Sequence, residues 1–141
     1  MAISSRSALT VPRTATVMET IRTMAGAKVG SVLVVDGDRL LGIFSERDVM
    51  LRVVVEGRNP EYTTVEEVMT SPVQTIPPET TGDAALRIMH QGHIRHLPVV
   101  DDKGRVVAVV SMRSLLQEKI EELNQQLDSL ESYITADGIG G

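Results

Sequence analysis

The chain contains two copies of one pattern, and this internal repeat limits its fold more than any other feature. "VPRTATVMETIRTMAGAKVGSVLVVD", from Val11, aligns with "IPPETTGDAALRIMHQGHIRHLPVVD", from Ile76, at an offset of 65 (76 minus 11). Thr16 then aligns with Thr81. One added residue in the following turn raises the offset to 66, so that "GIFSERDV" aligns with "AVVSMRSL". Two similar structural units are therefore expected in one chain.

Each copy predicts the same order of elements: strand, helix, strand, strand, helix. A short extended piece with a proline precedes each first helix, and capping-box spacing starts these helices at Thr16 with Glu19 and at Thr80 with Asp83. Helices of about ten residues are expected to follow. β-branched runs on both sides of "DGDR" and "DDKG" predict two hairpins. The serines of "GIFSERDV" and "AVVSMRSL" are expected to begin the second helices.

The size of one copy predicts that the two copies pack together. A unit of about 50 to 60 residues buries little surface alone, and its apolar strands imply cover on both faces. We predict an α/β (α+β) fold of two β-α-β-β-α repeats. The first repeat is placed in residues 1–57, a polar linker in 58–64 and the second repeat in 65–117, entered by a short helix in "TVEEVM". A C-terminal amphipathic helix and a disordered tail are expected in 118–141.

The C-terminal segment has apolar residues at alternating steps of four and three. This is the a/d spacing of a coiled coil. The positions are Leu116, Ile120, Leu123, Leu127, Leu130 and Ile134. They cover fewer than three heptads, so two interpretations stay open: a short coiled coil in a dimer, or packing of the helix against its own domain. The final "TADGIGG" is predicted to be a frayed tail.

Composition excludes several classes of function. The net charge is -5, aromatic residues make up 2% and no block of Lys and Arg occurs, so a nucleic-acid partner is not expected. Cysteine is absent, which excludes disulfides and thiolate metal sites. No run approaches the roughly 18 apolar residues of a membrane span, and "MAISSRSALT" lacks a signal-peptide core. A cytoplasmic protein without a membrane partner is expected.

Ser45 and Asp48 allow a structural and a functional interpretation. A serine at the N-cap and an acid three residues later satisfy the free N–H groups of a helix start. The second copy keeps the serine as Ser111 but has Ser114 in place of the acid. Asp48 is therefore expected to have a task beyond starting a helix. A hydroxyl at a helix start suits a phosphate, and a nearby carboxylate can accept both hydroxyls of a ribose.

The stretch "HIRHLPVV" also has two interpretations. Arg95 and His96 occupy the positions of Gly30 and Ser31 in the first copy, at the entry to an apolar strand. A basic pair at this place can be a solvated strand edge. It can also bind a phosphate, for which arginine offers a fork of donors and histidine a titratable donor.

No catalytic residues and no metal site are predicted. A zinc site at His90, His93 and His96 would need further ligands, and neither cysteine nor a suitably spaced acid supplies them. The motifs HExxH, GxSxG and GxxxxGK[ST] do not occur, and Ser45 has no base partner visible in the sequence. The acids and glycines of "VVDGDRLLG" first indicate a hairpin turn. An enzyme is therefore not expected.

The repeat, the paired strands and "GIFSERD" together resemble the tandem cystathionine β-synthase (CBS) domain pair, or Bateman module, of the stand-alone bacterial signal-transduction type. Residues 42–48 match the family pattern of Gly, apolar, any, Thr or Ser, two of any, Asp. "RHLPVVDDKGRVVAVVS" and "VEEVMTSPVQTIPPETT" are similar to further typical stretches. The resemblance covers roughly residues 7–117 and implies two repeats packed by pseudo-two-fold symmetry.

The resemblance implies a sensor that binds an adenosine nucleotide in the cleft between the two copies. The ligand would be AMP, ADP or ATP, with NAD-type ligands and S-adenosylmethionine as alternatives, and no catalytic cofactor. Asp48 would hold the ribose hydroxyls, Ser45 would lie near the phosphate, and Arg47 belongs to the same motif. The adenine wall would be formed in part by Thr10, Val11 and Pro12.

The phosphate side of the site would come from the second copy. In similar modules, basic residues before the "LPV" strand reach the phosphates, which would bring Arg95 and His96 to the site of Asp48. The second copy has Ala108 for the motif glycine and Ser114 for the acid. One competent site per chain is therefore predicted.

The resemblance also implies a homodimer that regulates a partner. Only a helix and a tail follow the module in this sequence, so the module is expected either to regulate its partner in trans or to serve as a ligand buffer. The alternative is a structural dimerisation subunit with vestigial nucleotide sites, and a small enzyme is the third interpretation.

Overall fold

A computed structural model describes residues 9–140, with side chains for residues 9–134. The predicted α/β fold class is confirmed. The first eight residues of the predicted first repeat, and Gly141, lie outside the described range. The elements in chain order are β1 Thr10–Pro12, α1 Val17–Ala27, β2 Ser31–Asp36, β3 Arg39–Ser45, α2 Glu46–Asp48, a π-helical segment Val49–Val54, α3 Val65–Val68, α4 Gly82–Gly92, β4 His96–Val100, β5 Val106–Ser111 and α5 Met112–Gly140.

The chain divides into two compact units that differ from the repeats predicted in 1–57 and 65–117. Among the described residues, the larger unit comprises 9–78 and 98–109, and the smaller unit comprises 79–97 and 110–140. The turn of the second hairpin belongs to the larger unit, where the N–H of Val106 donates to the C=O of Asp38 at 2.9 Å. Sequence repeats and compact units are thus different divisions of this chain.

The larger unit is built on a three-stranded sheet with the order β1-β2-β3. β1 runs parallel to β2, and β2 runs antiparallel to β3, with Ser31 opposite Ser45. The four residues from Val32 to Val35 are all buried, so the sheet is covered on both faces as predicted. The core is aliphatic around one aromatic residue, with Val11, Ala15, Val17, Met24, Val32, Val34, Phe44, Val53, Val65 and Val68.

The predicted first strand of the second copy is wrong, because it is reduced to a single bridge. Ile76 pairs with Val99, and no strand forms between α3 and α4. In the first copy, Arg13 extends the pairing by donating its N–H to the C=O of Val35 at 3.1 Å. The aligned residue is Pro78, which has no N–H to donate. The ladder therefore stops in the second copy.

The ends of α1 and α4 confirm the repeat at the level of backbone conformation. Both helices have 11 residues, and both end at a non-glycine residue in the left-handed conformation. These residues are Lys28, with φ 56°, and His93, with φ 53°. Their N–H groups bond back into the last turn of each helix, which satisfies carbonyl groups at the helix end.

The starts of these helices confirm one predicted cap and correct the other. Thr16 and Glu19 form the predicted capping box, with Thr16 Oγ1 accepting from the N–H of Glu19 at 3.1 Å. The predicted pair of Thr80 and Asp83 is wrong. α4 is capped by Thr81, which accepts from the N–H of Ala84 at 3.2 Å. Thr81 is the residue that aligns with Thr16, so the repeat indicates the cap better than the spacing of an acid.

Two alanine substitutions test this cap. We expect Thr81→Ala to lower the free energy of unfolding by about 1 kcal/mol, because the first turn of α4 loses a hydrogen-bond acceptor. Thr80→Ala is the matched control and should change it by less than about 0.5 kcal/mol. Urea unfolding followed by circular dichroism measures both. Equal effects of the two substitutions would contradict the assignment.

The predicted short helix in "TVEEVM" is confirmed as α3. The N–H of Thr64 donates to Oε2 of Glu67 at 2.7 Å. This backbone hydrogen bond is the main reason that the pKa of Glu67 lies below its usual value. A carboxyl with a lowered pKa stabilises the fold at neutral pH, and this contribution is lost as the pH falls through the folded-state pKa.

The smaller unit carries α5, whose apolar seam is exposed among the described residues. Leu115 is buried and lies near Gly82 of α4, whereas Leu116 is 46% exposed and Leu127 is 57% exposed. Residues 9–134 therefore provide no cover for the seam within the chain's own domain, and a dimer contact stays a prediction. The helix continues to Gly140, so the predicted frayed tail is helical as far as that residue. None of the described helices has both the length and the apolar character that crossing a bilayer requires.

Candidate functional site

The candidate site lies where β3 ends and α2 begins. Ser45 has an extended backbone (φ -127°, ψ 168°), and its Oγ accepts from the N–H of Asp48 at 3.3 Å. In return, Oδ2 of Asp48 accepts from the N–H of Ser45 at 3.0 Å. The prediction that Ser45 caps this helix is confirmed. The helix continues as a π-helical segment, in which the N–H of Val55 reaches the C=O of Met50 at 3.0 Å.

The Asp48 carboxylate is buried and has several partners. Its side chain is 8% exposed. Oδ2 also accepts from the hydroxyl of Ser45 at 3.1 Å, and Oδ1 accepts from the hydroxyl of Thr70 at 2.9 Å. Oδ1 lies 3.5 Å from Nε of Arg52, one helical turn further on. A cation and three hydrogen bonds thus compensate the burial of this charge.

A close approach at Gly42 brings Thr70 to the carboxylate. Thr70 pairs with Ile43, donating its N–H at 2.8 Å and accepting through its C=O at 3.0 Å. A Cβ on Gly42 would lie 2.9 Å from the C=O oxygen of Thr70 and 2.5 Å from Sδ of Met69. The motif glycine is therefore required by backbone contact, and it positions the hydroxyl that holds Asp48.

Two residues of this cluster were missed by sequence reasoning. The ion pair of Arg52 with Asp48 could have been predicted, because residues four apart lie on the same face of a helix. Thr70 is 22 residues from Asp48, and no local pattern connects the two.

The second copy repeats the cap without the acid. Ser111 Oγ accepts from the N–H of Ser114 at 3.1 Å and donates to the Ser114 hydroxyl at 2.9 Å. The residue that aligns with Arg52 is Glu118, so the cation is absent as well. The same helix start therefore forms with neutral groups, and the carboxylate is a feature of the first copy.

The predicted adenine wall is on the same sheet as this helix start. Val11 is buried, whereas Thr10 and Pro12 are exposed. Thr10 of β1 is paired with Leu33 of β2, and Leu33 is paired with Ile43 of β3. β1 is two strands from β3, about 10 Å at the usual strand spacing. The sheet therefore places Thr10 toward the same end as Ser45, and its contact with adenine stays a prediction.

The remaining predicted site residues are exposed. Arg47 is on α2 in the larger unit. Arg95 and His96 belong to the smaller unit, at the start of β4. The C=O of Arg95 accepts from the N–H of Met112 at 2.8 Å. The aligned bond in the first copy runs from the N–H of Glu46 to the C=O of Gly30, at 3.0 Å. Their grouping with Asp48 stays a prediction.

The polar groups of the described part of the chain show no further site. Within residues 9–134, no group of three or more histidines and acids is arranged to hold a metal ion. Every buried side-chain nitrogen or oxygen in that range has a hydrogen-bond partner.

Matched helix caps, matched helix ends and one buried acid define an internally repeated α/β module whose two copies differ in the helix start that carries the acid. The family profile of the CBS domain matches residues 2–55 and 65–121. The chain belongs to the CBS-domain family and contains a tandem pair of these domains.

Comparison with known proteins agrees with this assignment. The chain is 34% identical over 116 residues to the uncharacterized protein MK0525 of Methanopyrus kandleri, with 82% of this chain and 59% of the relative covered. It is 36% identical to a proposed signal-transduction protein with CBS domains from Burkholderia ambifaria, with a TM-score of 0.74 and coverage of 83% and 85%. A CBS-domain protein of Pyrobaculum aerophilum, PAE2072, solved in complex with AMP, has 28% identity and a TM-score of 0.70. In that pair, 79% of this chain and 86% of the other are covered.

The curated relatives are longer than the matched region. The chain spans 59% of MK0525, and 24% and 60% of two relatives from Arabidopsis thaliana.

Proposed function

We propose that this protein is a regulatory module that binds an adenosine nucleotide at one site per chain and modulates a partner in trans. The observation that carries the proposal is the buried Asp48 carboxylate beside the Ser45 hydroxyl, in one copy of the repeat only. The AMP complex of PAE2072 supports the choice of ligand class. The proposed active form is a cytoplasmic homodimer without catalytic activity.

The number of hydrogen bonds at Asp48 supports a ribose diol as the ligand group. A carboxylate has about four acceptor positions. Ser45 occupies two of them and Thr70 occupies one, while the fourth faces Arg52 at a distance too long for a good hydrogen bond. The Ser45 hydroxyl can rotate away from the carboxylate, which frees a second position. Two acceptors are then available for the two hydroxyls of a ribose.

The same rotation gives Ser45 a role toward the phosphate. Once its hydroxyl leaves Asp48, it can donate to an anion at the start of α2. The Arg52 side chain is 46% exposed and donates from Nη1 to the C=O of Met69 at 2.9 Å, so it can keep this bond while its Nε moves away from Asp48 as the ribose enters. Arg95 and His96 are proposed as further phosphate donors on the strength of the family resemblance.

Calorimetry tests both the ligand and the number of sites. We expect AMP, ADP, ATP, NAD or S-adenosylmethionine to bind with one site per chain. A ligand at 100 times its dissociation constant should stabilise the fold by about 2.7 kcal/mol. The 2′-deoxy form of the best ligand should bind more weakly, because it lacks one hydroxyl for Asp48. Two equal and independent sites per chain would contradict the proposal.

A structural dimerisation subunit is the second candidate. It is favoured by the fact that Asp48 already has partners within the chain, as expected of an acid whose task is to hold Thr70 and a helix start. If no adenosine compound stabilises the protein at millimolar concentration, this second function replaces the first.

A further inference from the structure

We infer that α5 pairs with α5 of a second copy as a parallel two-stranded coiled coil. The seam consists of Leu116, Ile120, Leu123, Leu127, Leu130 and Ile134, each between 46% and 58% exposed. These side chains are on one continuous helix, from Met112 to Gly140. Six large apolar side chains in one stripe need a partner surface of the same kind.

The residue types in the seam favour two parallel strands. The spacing places Leu116, Leu123 and Leu130 at d positions. Ile120 and Ile134 are at a positions, with a leucine between them. Among parallel coiled coils, β-branched residues at a with leucine at d favour two strands over larger bundles. A second copy offers the complementary seam in the same register.

The seam points away from the packing of α5 against its own unit. Leu115, at a c position, is buried and lies near Gly82 of α4. On the same side, Nζ of Lys119 lies 3.4 Å from Oδ1 of Asp83. These two contacts with α4 lie in the first two turns of α5, and the a and d side chains are 46–58% exposed among the described residues.

The charges of α5 are arranged for pairing with an identical helix. Four acids are at b, c and f positions, which face away from a coiled-coil partner: Glu118, Glu121, Glu122 and Asp128. In a parallel pair, Lys119 at g faces Asn124 at e, and Gln126 faces Glu131. No like charges meet beside the seam, although the whole chain carries a net charge of -5. The charges of α5 therefore permit a second copy of the chain as the partner of the seam.

This inference rests on the proposed homodimer but is independent of nucleotide binding. The seam from 116 to 134 is about 27 Å long at 1.5 Å per residue. Fewer than three heptads bind weakly when isolated. The inferred role of α5 is therefore to fasten and orient two modules in parallel.

The absence of cysteine allows a direct test with the full chain. In a parallel pair, Leu130→Cys places two thiols at facing d positions, and mild oxidation should join the chains by a disulfide. The control is Gln125→Cys, at an f position on the outer side of the same helix. Pairing raises the effective thiol concentration, so Leu130→Cys should crosslink at least about tenfold faster than the control.

A second substitution shows whether the crosslink depends on the seam. Leu123→Glu in the Leu130→Cys background should slow crosslinking to the rate of the control, whereas Gln125→Glu, which adds the same charge on the outer face, should leave it unchanged. In an antiparallel pair, Leu130→Cys would instead crosslink to Ile120→Cys, and that result would overturn the inference. Equal rates for Leu130→Cys and Gln125→Cys would also overturn it. The stabilisation of the Leu123→Glu chain by AMP is measured as well. If AMP still stabilises this chain, the loss of crosslinking reports on the seam and not on nucleotide binding.

Discussion

Asp48→Asn is expected to abolish the stabilisation of this protein by AMP. The substitution keeps the shape of the side chain but removes the charge and one acceptor oxygen. A hydrogen bond to a charged group contributes about 1.5–3 kcal/mol, so the loss of two such bonds weakens binding by about 100-fold or more. Thermal unfolding with and without AMP, supported by calorimetry, measures this change.

The second copy provides a matched control for the same chemical group. Ser114→Asn introduces an asparagine at the position that aligns with Asp48, and we expect AMP affinity to stay unchanged. Unchanged affinity in Asp48→Asn would instead show that the acid does not bind the ribose.

Asp48→Asn also affects the fold, because its amide keeps one acceptor oxygen and therefore loses the hydrogen bonds either from Ser45 or from Thr70. We expect its free energy of unfolding to fall by about 1–3 kcal/mol. Thr70→Val separates the two roles. It removes the internal hydroxyl but leaves the carboxylate, so it should lower stability while AMP affinity is retained or increased. Loss of AMP binding in Thr70→Val would mean that the ligand depends on the intact cluster and not on the carboxylate itself.

Gly42→Ala is expected to destabilise the fold by about 1–3 kcal/mol, because overpacking against backbone cannot be relieved by a rotamer change. The added Cβ would meet the C=O of Thr70 and the thioether of Met69. Relief would require the Thr70 segment to move away from Ile43, which would also withdraw the Thr70 hydroxyl from Asp48.

Gly26→Ala makes the same chemical change with the opposite expected sign. Gly26 is exposed in α1, and a Cβ there would meet nothing within 4 Å. Alanine should therefore stabilise the fold by about 0.4–1 kcal/mol, through the reduced entropy of the unfolded chain. Urea unfolding of both variants provides the measurement. Equal destabilisation by both would contradict the packing argument at Gly42.

The sequence predicts those parts of the fold that depend on near neighbours. The capping box of Thr16 and Glu19 joins residues three apart, and so does the pair of Ser45 and Asp48. Even the wrong cap at Thr80 is one residue from the observed one. The missing first strand of the second copy could also have been predicted, since two consecutive prolines after Ile76 remove the donors of a ladder.

The candidate site was only half visible in the sequence. Comparison of the two copies indicated that Asp48 has a further task, because Ser114 replaces it at a helix start of the same kind. The structure shows that this task includes a hydrogen bond to Thr70 and an ion pair with Arg52. A ligand role for Asp48 is proposed in addition to this internal one, and the tests above separate the two.

The sequence by itself determined the repeat, the hairpins, the helix starts and the family, because each depends on residue spacing within a few positions or on comparison of one copy with the other. Only the tertiary structure decided that Gly42 is a contact point for the backbone of Thr70 and that the second hairpin contributes to both compact units. It also decided that the seam of α5 is exposed. These properties depend on which distant segments come together, and no local spacing records that.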